Sequence, residues 1–426
     1  MQESATIVSE RTEEFMTRPL ANGMTLLGQK MPQVSSAAMT LVVPAGASHD
    51  PAGLAGSAAV LSEWCLRGAG DRDTRQLNDA LDALGCQHHE SVRSDHMIFS
   101  AGLLGRNLQA VLALYADILL RPRLTDEAFE PCRALVQQDL ESLEDEPAHK
   151  CTLMLRERFY PRPLGSNTYG TPESLAAVTP EALRRHAAER LSPAGTILAV
   201  AGDLEWEALC DDVERLFGAW NVPEPPRPTI QPPLNGIEHV AKDSAQAHIG
   251  LAWPTVTLDS DAYYAARLAG MVLSGGPSAR LHTEVREKRG LVYHVSATYH
   301  SLKTHAGMFA YAGTRPELAQ QTFETTVGEI RRLGDGIEPD EIARAKVQLK
   351  SALVMQGEST GARANALASD HYHLGRLRSL AELSAAIDTT TPDEVIEHVR
   401  AHPAGGFTVL VVGPETVDTS ILEAAS

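Results

Sequence analysis

The chain has 426 residues, 43% of them hydrophobic and 22% charged, which is the composition of a globular protein long enough for two or more well-filled domains and unlike a disordered or fibrous one. A formal net charge of −18 argues against nucleic acid as a partner, because a polyanion would be repelled, and is compatible with basic peptides. Five scattered cysteines without a C-x-x-C, a polar acidic stretch from Met1 to Arg18 and the lack of an apolar run near 18–20 residues lead to the expectation of a cytoplasmic chain with free thiols, no signal peptide and no membrane span.

In chain order, residues 37–43 read as an apolar strand. Gly53-Leu54-Ala55-Gly56 then leads into Val60-Leu61-Ser62-Glu63-Trp64-Cys65-Leu66-Arg67-Gly68. Residues 74–84 and 108–120 show helical apolar spacing. Between them Gln87-His88-His89-Glu90, with Asp95-His96, crowds metal-capable groups together. Neighbours on a strand point to opposite faces, however, so His88 and His89 cannot easily share one ion. Residues 125–146 are helical again, with Thr125 as N-cap and Asp126 and Glu127 in the favoured first turn. Pro131 inside that run either kinks the helix or marks where its long part begins. Pro122, Pro161 and Pro163 punctuate loops.

Past the middle, Val222-Pro223-Glu224-Pro225-Pro226-Arg227-Pro228 through Pro232-Pro233-Leu234-Asn235-Gly236 is an extended linker. The two sides of it repeat. Thr179-Pro180-Glu181, a helical stretch with His186, Pro193-Ala194-Gly195 and the strand 197–202 recur as Thr391-Pro392-Asp393, a stretch with His398, Pro403-Ala404-Gly405 and 407–413. The offsets are 212 residues at Thr-Pro and 210 at Pro-Ala-Gly. The strand 37–43 likewise has its counterpart at 248–253. These features predict domains at 1–220 and 237–426 joined by a linker at 221–236, each an α+β layer of strands and amphipathic helices. His371 and His373 read as ordinary polar helix residues. Gly275-Gly276 lacks the spacing and lysine of a phosphate loop and reads as a flexible loop.

Three segments together resemble the pitrilysin/insulinase-like (inverzincin) zinc peptidases. That family carries H-x-x-E-H on a helix, with two zinc-binding histidines and a general-base glutamate. Here the pattern is V-x-x-E-W: Glu63 remains, while Val60 and Trp64 stand at the ligand positions. The family's third ligand, a downstream glutamate, falls on Asp139 within Arg133-Ala134-Leu135-Val136-Gln137-Gln138-Asp139-Leu140. Glu63 and Asp139 are read as capping or solvated carboxylates at the floor of a cavity, and Trp64 as a filler of the metal's volume. No metal is expected in this chain. A compensatory site from His88 or His89 with Glu63 and Asp139 is the minority reading.

The C-terminal signature stands intact from Ser274-Gly275-Gly276-Pro277 through Glu284-Val285-Arg286-Glu287-Lys288-Arg289-Gly290-Leu291-Val292-Tyr293 to His305 and onward. In the family it supplies an arginine and a tyrosine seven residues apart, here Arg286 and Tyr293, to the peptide. Gly275 and Gly276 would border the substrate chamber. Gly170-Thr171-Pro172-Glu173-Ser174 also matches.

The resemblance implies two homologous domains, each a mixed sheet with helices mainly on one face, forming half of a clam-shell chamber. It also implies that residues 87–90 form an edge strand. The chain then looks like the non-catalytic subunit of a bacterial-type heterodimer similar to mitochondrial processing peptidase, inactive alone. Its partner would be a homologous H-x-x-E-H chain holding the zinc, and its substrates peptides. The duplicated architecture would also permit a homodimer of isolated chains. The alternative of another class is a non-enzymatic scaffold, similar to the core subunits of the cytochrome bc complex. An autonomous metallopeptidase would need zinc without imidazole ligands.

Overall fold

A computed structural model describes residues 13–403 and 406–425; the first twelve residues and Ala404-Gly405 of the second Pro-Ala-Gly lie outside them. The elements before the proline-rich run are β1 (Phe15–Pro19), β2 (Thr25–Lys30), β3 (Ser36–Val43), α1 (Ser57–Cys65), the short pair β4 (Gly68–Ala69) and β5 (Arg72–Asp73), α2 (Thr74–Ala83), β6 (Gln87–Val92), β7 (Met97–Leu104), α3 (Leu108–Leu120), α4 (Asp126–Ser142), α5 (Pro147–Phe159), α6 (Pro172–Ala177), α7 (Pro180–Arg190), β8 (Ile197–Gly202) and α8 (Trp206–Phe217). After it come β9 (Ile237–Ala241), β10 (Ala247–Thr255), α9 (Tyr263–Ser274), β11 (Val292–Ser301), β12 (Ala306–Thr314), α10 (Ala319–Arg332), α11 (Pro339–Gly357), α12 (Thr360–Leu374), α13 (Leu380–Thr389), α14 (Pro392–Ala401) and β13 (Thr408–Gly413).

Two mixed sheets result, ordered β1-β2-β8-β3-β7-β6 and β11-β12-β10-β13-β9. The second repeats five of the first's six strands, β1 having no counterpart. β9, β13, β10, β12 and β11 stand where β2, β8, β3, β7 and β6 stand, and only β2–β8 and β9–β13 run parallel. β6 and β11, equivalent in this scheme, are both edges. The α+β class and the duplication read from the sequence hold at the level of topology.

Each sheet turns one face to a large apolar core. In the first unit that face carries Met39, Leu41, Phe99 and Val200, packed with Trp64, Tyr115 and Phe217. In the second it carries Ile249, Leu251, Met308 and Val411, packed with Leu268, Phe323 and Val327. The alternation of strand side chains leaves the opposite face, and in each unit one helix covers part of it.

Those two covering helices make the units discontinuous in sequence. One unit gathers the chain up to 142, 166–230 and 355–379; the other gathers 143–165, 231–354 and the chain from 380 onward. Across the run 221–236, α5 belongs to the second unit and α12 to the first. On the first sheet, Ala364, Leu367 and Ala368 of α12, at helical spacing i, i+3 and i+4, pack against Leu27, Val42 and Ala199. On the second, Cys151 and Leu155 of α5 pack against Ala252, Leu410 and Val412. Among the described residues no helix is long and apolar enough to cross a membrane.

Candidate functional site

The helix bearing V-x-x-E-W is α1. Its first amides are met from outside the helix: the Asp50 carboxylate accepts N–H bonds from Gly56 (2.7 Å) and Ala58 (2.8 Å). Burial pushes that carboxyl up to about 7, against the opposite pull of the amide bonds. Sequence reading missed Asp50, because it lies six residues ahead of the helix cap, across Pro51-Ala52-Gly53. An acidic residue before a Pro/Gly turn and an apolar helix was the available signal.

Both positions that align with the histidines of H-x-x-E-H belong to the core. Val60 and Trp64 are fully buried. The Trp64 indole N–H donates to the Thr125 carbonyl at 3.1 Å, its ring meets Phe129 edge-on at 5.1 Å, and the Arg184 guanidinium lies 5.3 Å from the ring centre. Thr125 directly precedes α4, so the indole ties α1 to α4, the helix carrying Asp139. Hydrogen-bonded on its polar atom and flanked by an aromatic edge and a cation, the ring leaves nothing unsatisfied.

The carboxylates around it do not gather into a ligand set. Glu63 is a third exposed along its side chain and pairs with Arg67, one turn on, at 3.4 Å. Burial raises its carboxyl above the ordinary value, Arg67 opposes this, and Glu90 and Asp139 add to it. Asp139 is exposed on α4. Among the described residues no three His, Cys, Asp or Glu side chains are placed to hold a metal ion. Zinc does not fit here: the positions of the two imidazoles hold an aliphatic and an indole side chain, and Glu63 is paired with Arg67.

The histidine-rich strand separates as its alternation requires. His88 and Glu90 pair with Ala101 and Phe99 on the core side of β7, and His88 Nδ1 lies 2.8 Å from Glu90. His89 pairs with Ser100 on the other face. His96 is held elsewhere, against Tyr372 of α12, whose hydroxyl donates to Asp95 at 2.7 Å. The residues expected as an edge strand do form one, β6. His371 and His373 lie on α12.

In the second unit, the segment from 274 to 293 is built for a different purpose. Gly275 closes α9 with an N–H bond to Met271 (2.6 Å), and Gln348 of α11 lies beside it and Gly276. The buried Arg280 then fastens the segment to α11 by a two-pronged bond to Glu341 (2.8 and 2.7 Å) and one to the Gly336 carbonyl. Residues 282–287 form a π-helical turn, a conformation often found at functional sites. Gly290, at φ 60, ends it: its N–H bonds to the Arg286 carbonyl and that of Leu291 to Val285.

Charge on this turn is neutralised unevenly. Glu284 accepts from Lys288 (2.7 Å) and Arg289 (2.8 Å), and these bonds hold its carboxyl below the ordinary value. Arg286 is exposed, approaches only the His282 ring (3.4 Å), and has no carboxylate partner among the described residues. Strand β11 starts with a bulge: Val292 faces Thr314 and His294 faces Gly313, so Tyr293 is the extra residue. A bulge at a sheet edge re-aims its side chain. Tyr293 is 82% exposed, an unusual state for a large ring. The turn and the bulge thus place a guanidinium and a phenol, both hydrogen-bond donors, in solvent along one edge of the sheet.

Two family profiles divide most of the chain. The one described as Insulinase (Peptidase family M16) matches residues 25–172, and the one described as Peptidase M16 inactive domain matches residues 177–349. An uncharacterized zinc protease of Rickettsia bellii is 24% identical over 412 residues, spanning 95% of this chain and 99% of that protein. Among solved structures, a peptidase M16 inactive domain from Pseudomonas fluorescens superposes with a TM-score of 0.86 at 21% identity, covering 95% of this chain and 99% of that one. A chain of complex III2 from Candida albicans does so at 0.84 and 19%, covering 96% and 99%. At those identities the structural likeness speaks for the fold.

Proposed function

Because this chain belongs to the M16 peptidase family and carries Val60 and Trp64 where the H-x-x-E-H pattern has histidines, we propose that it is the zinc-less subunit of a two-chain metalloendopeptidase. One contrast carries this reading: Val60 and Trp64 are sealed into a core, while Arg286, with no carboxylate partner among the described residues, and Tyr293 stay open to solvent. A guanidinium without a carboxylate and a phenol almost wholly in water contribute little to folding. Both are therefore free to donate to a ligand.

In this reading a homologous H-x-x-E-H chain holds the zinc, which polarises the scissile carbonyl and activates water. The present chain holds the peptide. Arg286 and the Tyr293 hydroxyl donate hydrogen bonds to a peptide carbonyl oxygen. As the carbon becomes tetrahedral, charge grows on that oxygen and both bonds strengthen, which lowers the barrier instead of merely tightening binding. The guanidinium stays charged throughout, so no proton need move on this side.

The test is affinity capture of the chain from its source cells, with co-purifying proteins identified by mass spectrometry. The expected companion is a chain of similar size bearing an intact H-x-x-E-H. Recovery of the chain alone would overturn the proposal. Recovery within a respiratory complex would favour the second reading, a scaffold subunit, for which the likeness to a complex III2 chain is the supporting observation.

A further inference from the structure

Next to the exposed Tyr293, the sheet carries a second set of polar rings that the proposed peptide-holding role does not use. Gly313 of β12 pairs with His294 on β11 and with His248 on β10, so two histidines flank one glycine across three strands. The Tyr311 side chain, two residues back on the same face, lies over that glycine: a Cβ built on Gly313 would come within 2.8 Å of the Tyr311 hydroxyl. The phenol oxygen is 2.8 Å from His248 Nδ1, with the two rings stacked at 6.1 Å, and the His294 ring is 6.0 Å from the Tyr311 ring. Three polar rings therefore converge where a side chain is missing from the sheet floor.

They differ in access. His248 is 5% exposed, Tyr311 is half-buried and His294 is exposed. Burial, with Lys242 nearby, lowers the pKa of His248, so its ring is a neutral hydrogen-bond partner near pH 7. In its Nδ1–H tautomer it donates to the phenol oxygen and leaves the Tyr311 hydrogen free to donate outward. His294 offers an imidazole N–H beside it. The other strand positions on this face, Ser296 and Thr298 on β11, Phe309 on β12, Gly250 and Ala252 on β10 and Val412 on β13, include no carboxylate, and Cys151 and Leu155 of α5 pack over Gly250 and Ala252 beside the cluster. In a chain with a net charge of −18, a floor furnished with donors and free of acids is a local exception.

We propose that Tyr311 and His294, with His248 orienting the phenol, form a subsite for a carboxylate of the bound peptide, close to the Arg286–Tyr293 pair. The inference rests on the reading of that pair as a peptide holder. It assigns to the chain a preference for an acidic group at one peptide position, opposite to what its net charge suggests. A carboxylate accepts from two neutral donors at once, and its charge-assisted bonds exceed those an amide could make there. The source of the carboxylate is either an aspartate or glutamate side chain or the peptide's own C-terminus.

Four fluorescein-labelled decapeptides separate these cases: one with a central glutamate, its glutamine twin, and each again with an amidated C-terminus. Binding to the purified full chain is read by fluorescence anisotropy at constant salt. If a side chain is the ligand, both glutamate peptides bind about tenfold tighter than their twins, whatever the terminus. If the terminus is the ligand, amidation causes the loss and the glutamine twins match. In either case the preference falls below about twofold in His294→Ala and in Tyr311→Phe. Gly313→Ala, which pushes the phenol off its seat, gives the same loss without removing a donor. Arg286→Ala weakens all four peptides alike, because it tests the holder and not the subsite.

Equal binding of all four peptides, with Arg286→Ala still weakening them, would overturn the subsite and leave the holder standing. A preference that survives in both His294→Ala and Tyr311→Phe would also overturn it. Absence of binding in every arm would end both ideas.

Discussion

Two places in this chain, each matching a segment of the M16 pattern, are built in opposite ways. Around α1, the positions that bind metal in an H-x-x-E-H helix have been absorbed into the core, and the replacement indole has found an acceptor, an aromatic edge and a cation. Around β11, a guanidinium without a carboxylate partner among the described residues and a phenol stay exposed, one on a π-helical turn and the other at a bulge. When a site loses its purpose, packing takes it over, because every buried atom left unsatisfied costs stability. When surface donors stay exposed on irregular backbone, packing does not explain them.

That contrast can be broken by substitution. The largest effect is expected at Trp64. Its truncation to alanine empties a core position and strands the Thr125 carbonyl, costing about 3–5 kcal/mol in chemical unfolding. Loss of under 1 kcal/mol would mean that the indole is not a structural plug. Arg286→Ala should do the reverse, leaving the melting temperature unchanged. In the assembled peptidase it should lower kcat/KM by roughly tenfold to a thousandfold, about 1.4–4 kcal/mol in the transition state. An unchanged kcat/KM there, with Tyr293→Phe equally silent, would remove the proposed role.

A third measurement compares the units through their matched histidines, His186 on α7 and His398 on α14. Both are buried, and burial lowers each to about 4, below the ordinary 6.5. Between those values the unfolded chain binds more protons than the folded one. Stability from these rings is therefore full above about 6.5 and is lost as the pH falls towards 4, by an amount on the order of 1–3 kcal/mol each. Urea melts from pH 7 to 4.5 should show this decline, and the double variant His186→Gln, His398→Gln should flatten it. An unchanged slope would mean that the rings are hydrated.

The smallest effect is expected at Glu63, the one residue of the metal pattern still in place. Its pairing with Arg67 is partly exposed and worth under about 1 kcal/mol, so Glu63→Gln should alter neither stability nor turnover appreciably. A large loss of turnover would reopen the first site to chemistry.

The regular parts of this architecture were legible in the residues. The β-branched and aliphatic runs at β8 and β13, the Thr-Pro caps of α7 and α14 and the spacing of α3 are local signals, and the repeat aligned them. Features made by distant segments were not. Nothing in the apolar stripe of α12 says that Leu367 meets Leu27 and not β10, since a helical stripe specifies burial and no address. The bulge that frees Tyr293 comes from pairing β11 with β12, which no spacing in β11 encodes. The ring cluster over Gly313 draws on three strands, and Asp50 reaches α1 across a turn, so each lay beyond a reading confined to neighbours along the chain.

The exchange of α5 and α12 bears on how such a chain arose. Half of it, ending near the proline-rich run, would carry a sheet whose second face had no cover and a helix with no sheet to lie on. Two copies of such a half could cover both sheets only by lending each other the helix, as an obligate pair of swapped chains. Joining them in one chain makes a concentration-dependent association an internal one, and the linker is itself hydrogen-bonded to Arg162, Arg190 and Ser192. Cut at that linker today, the protein should yield two fragments that are each insoluble alone and that recover the fold when expressed together.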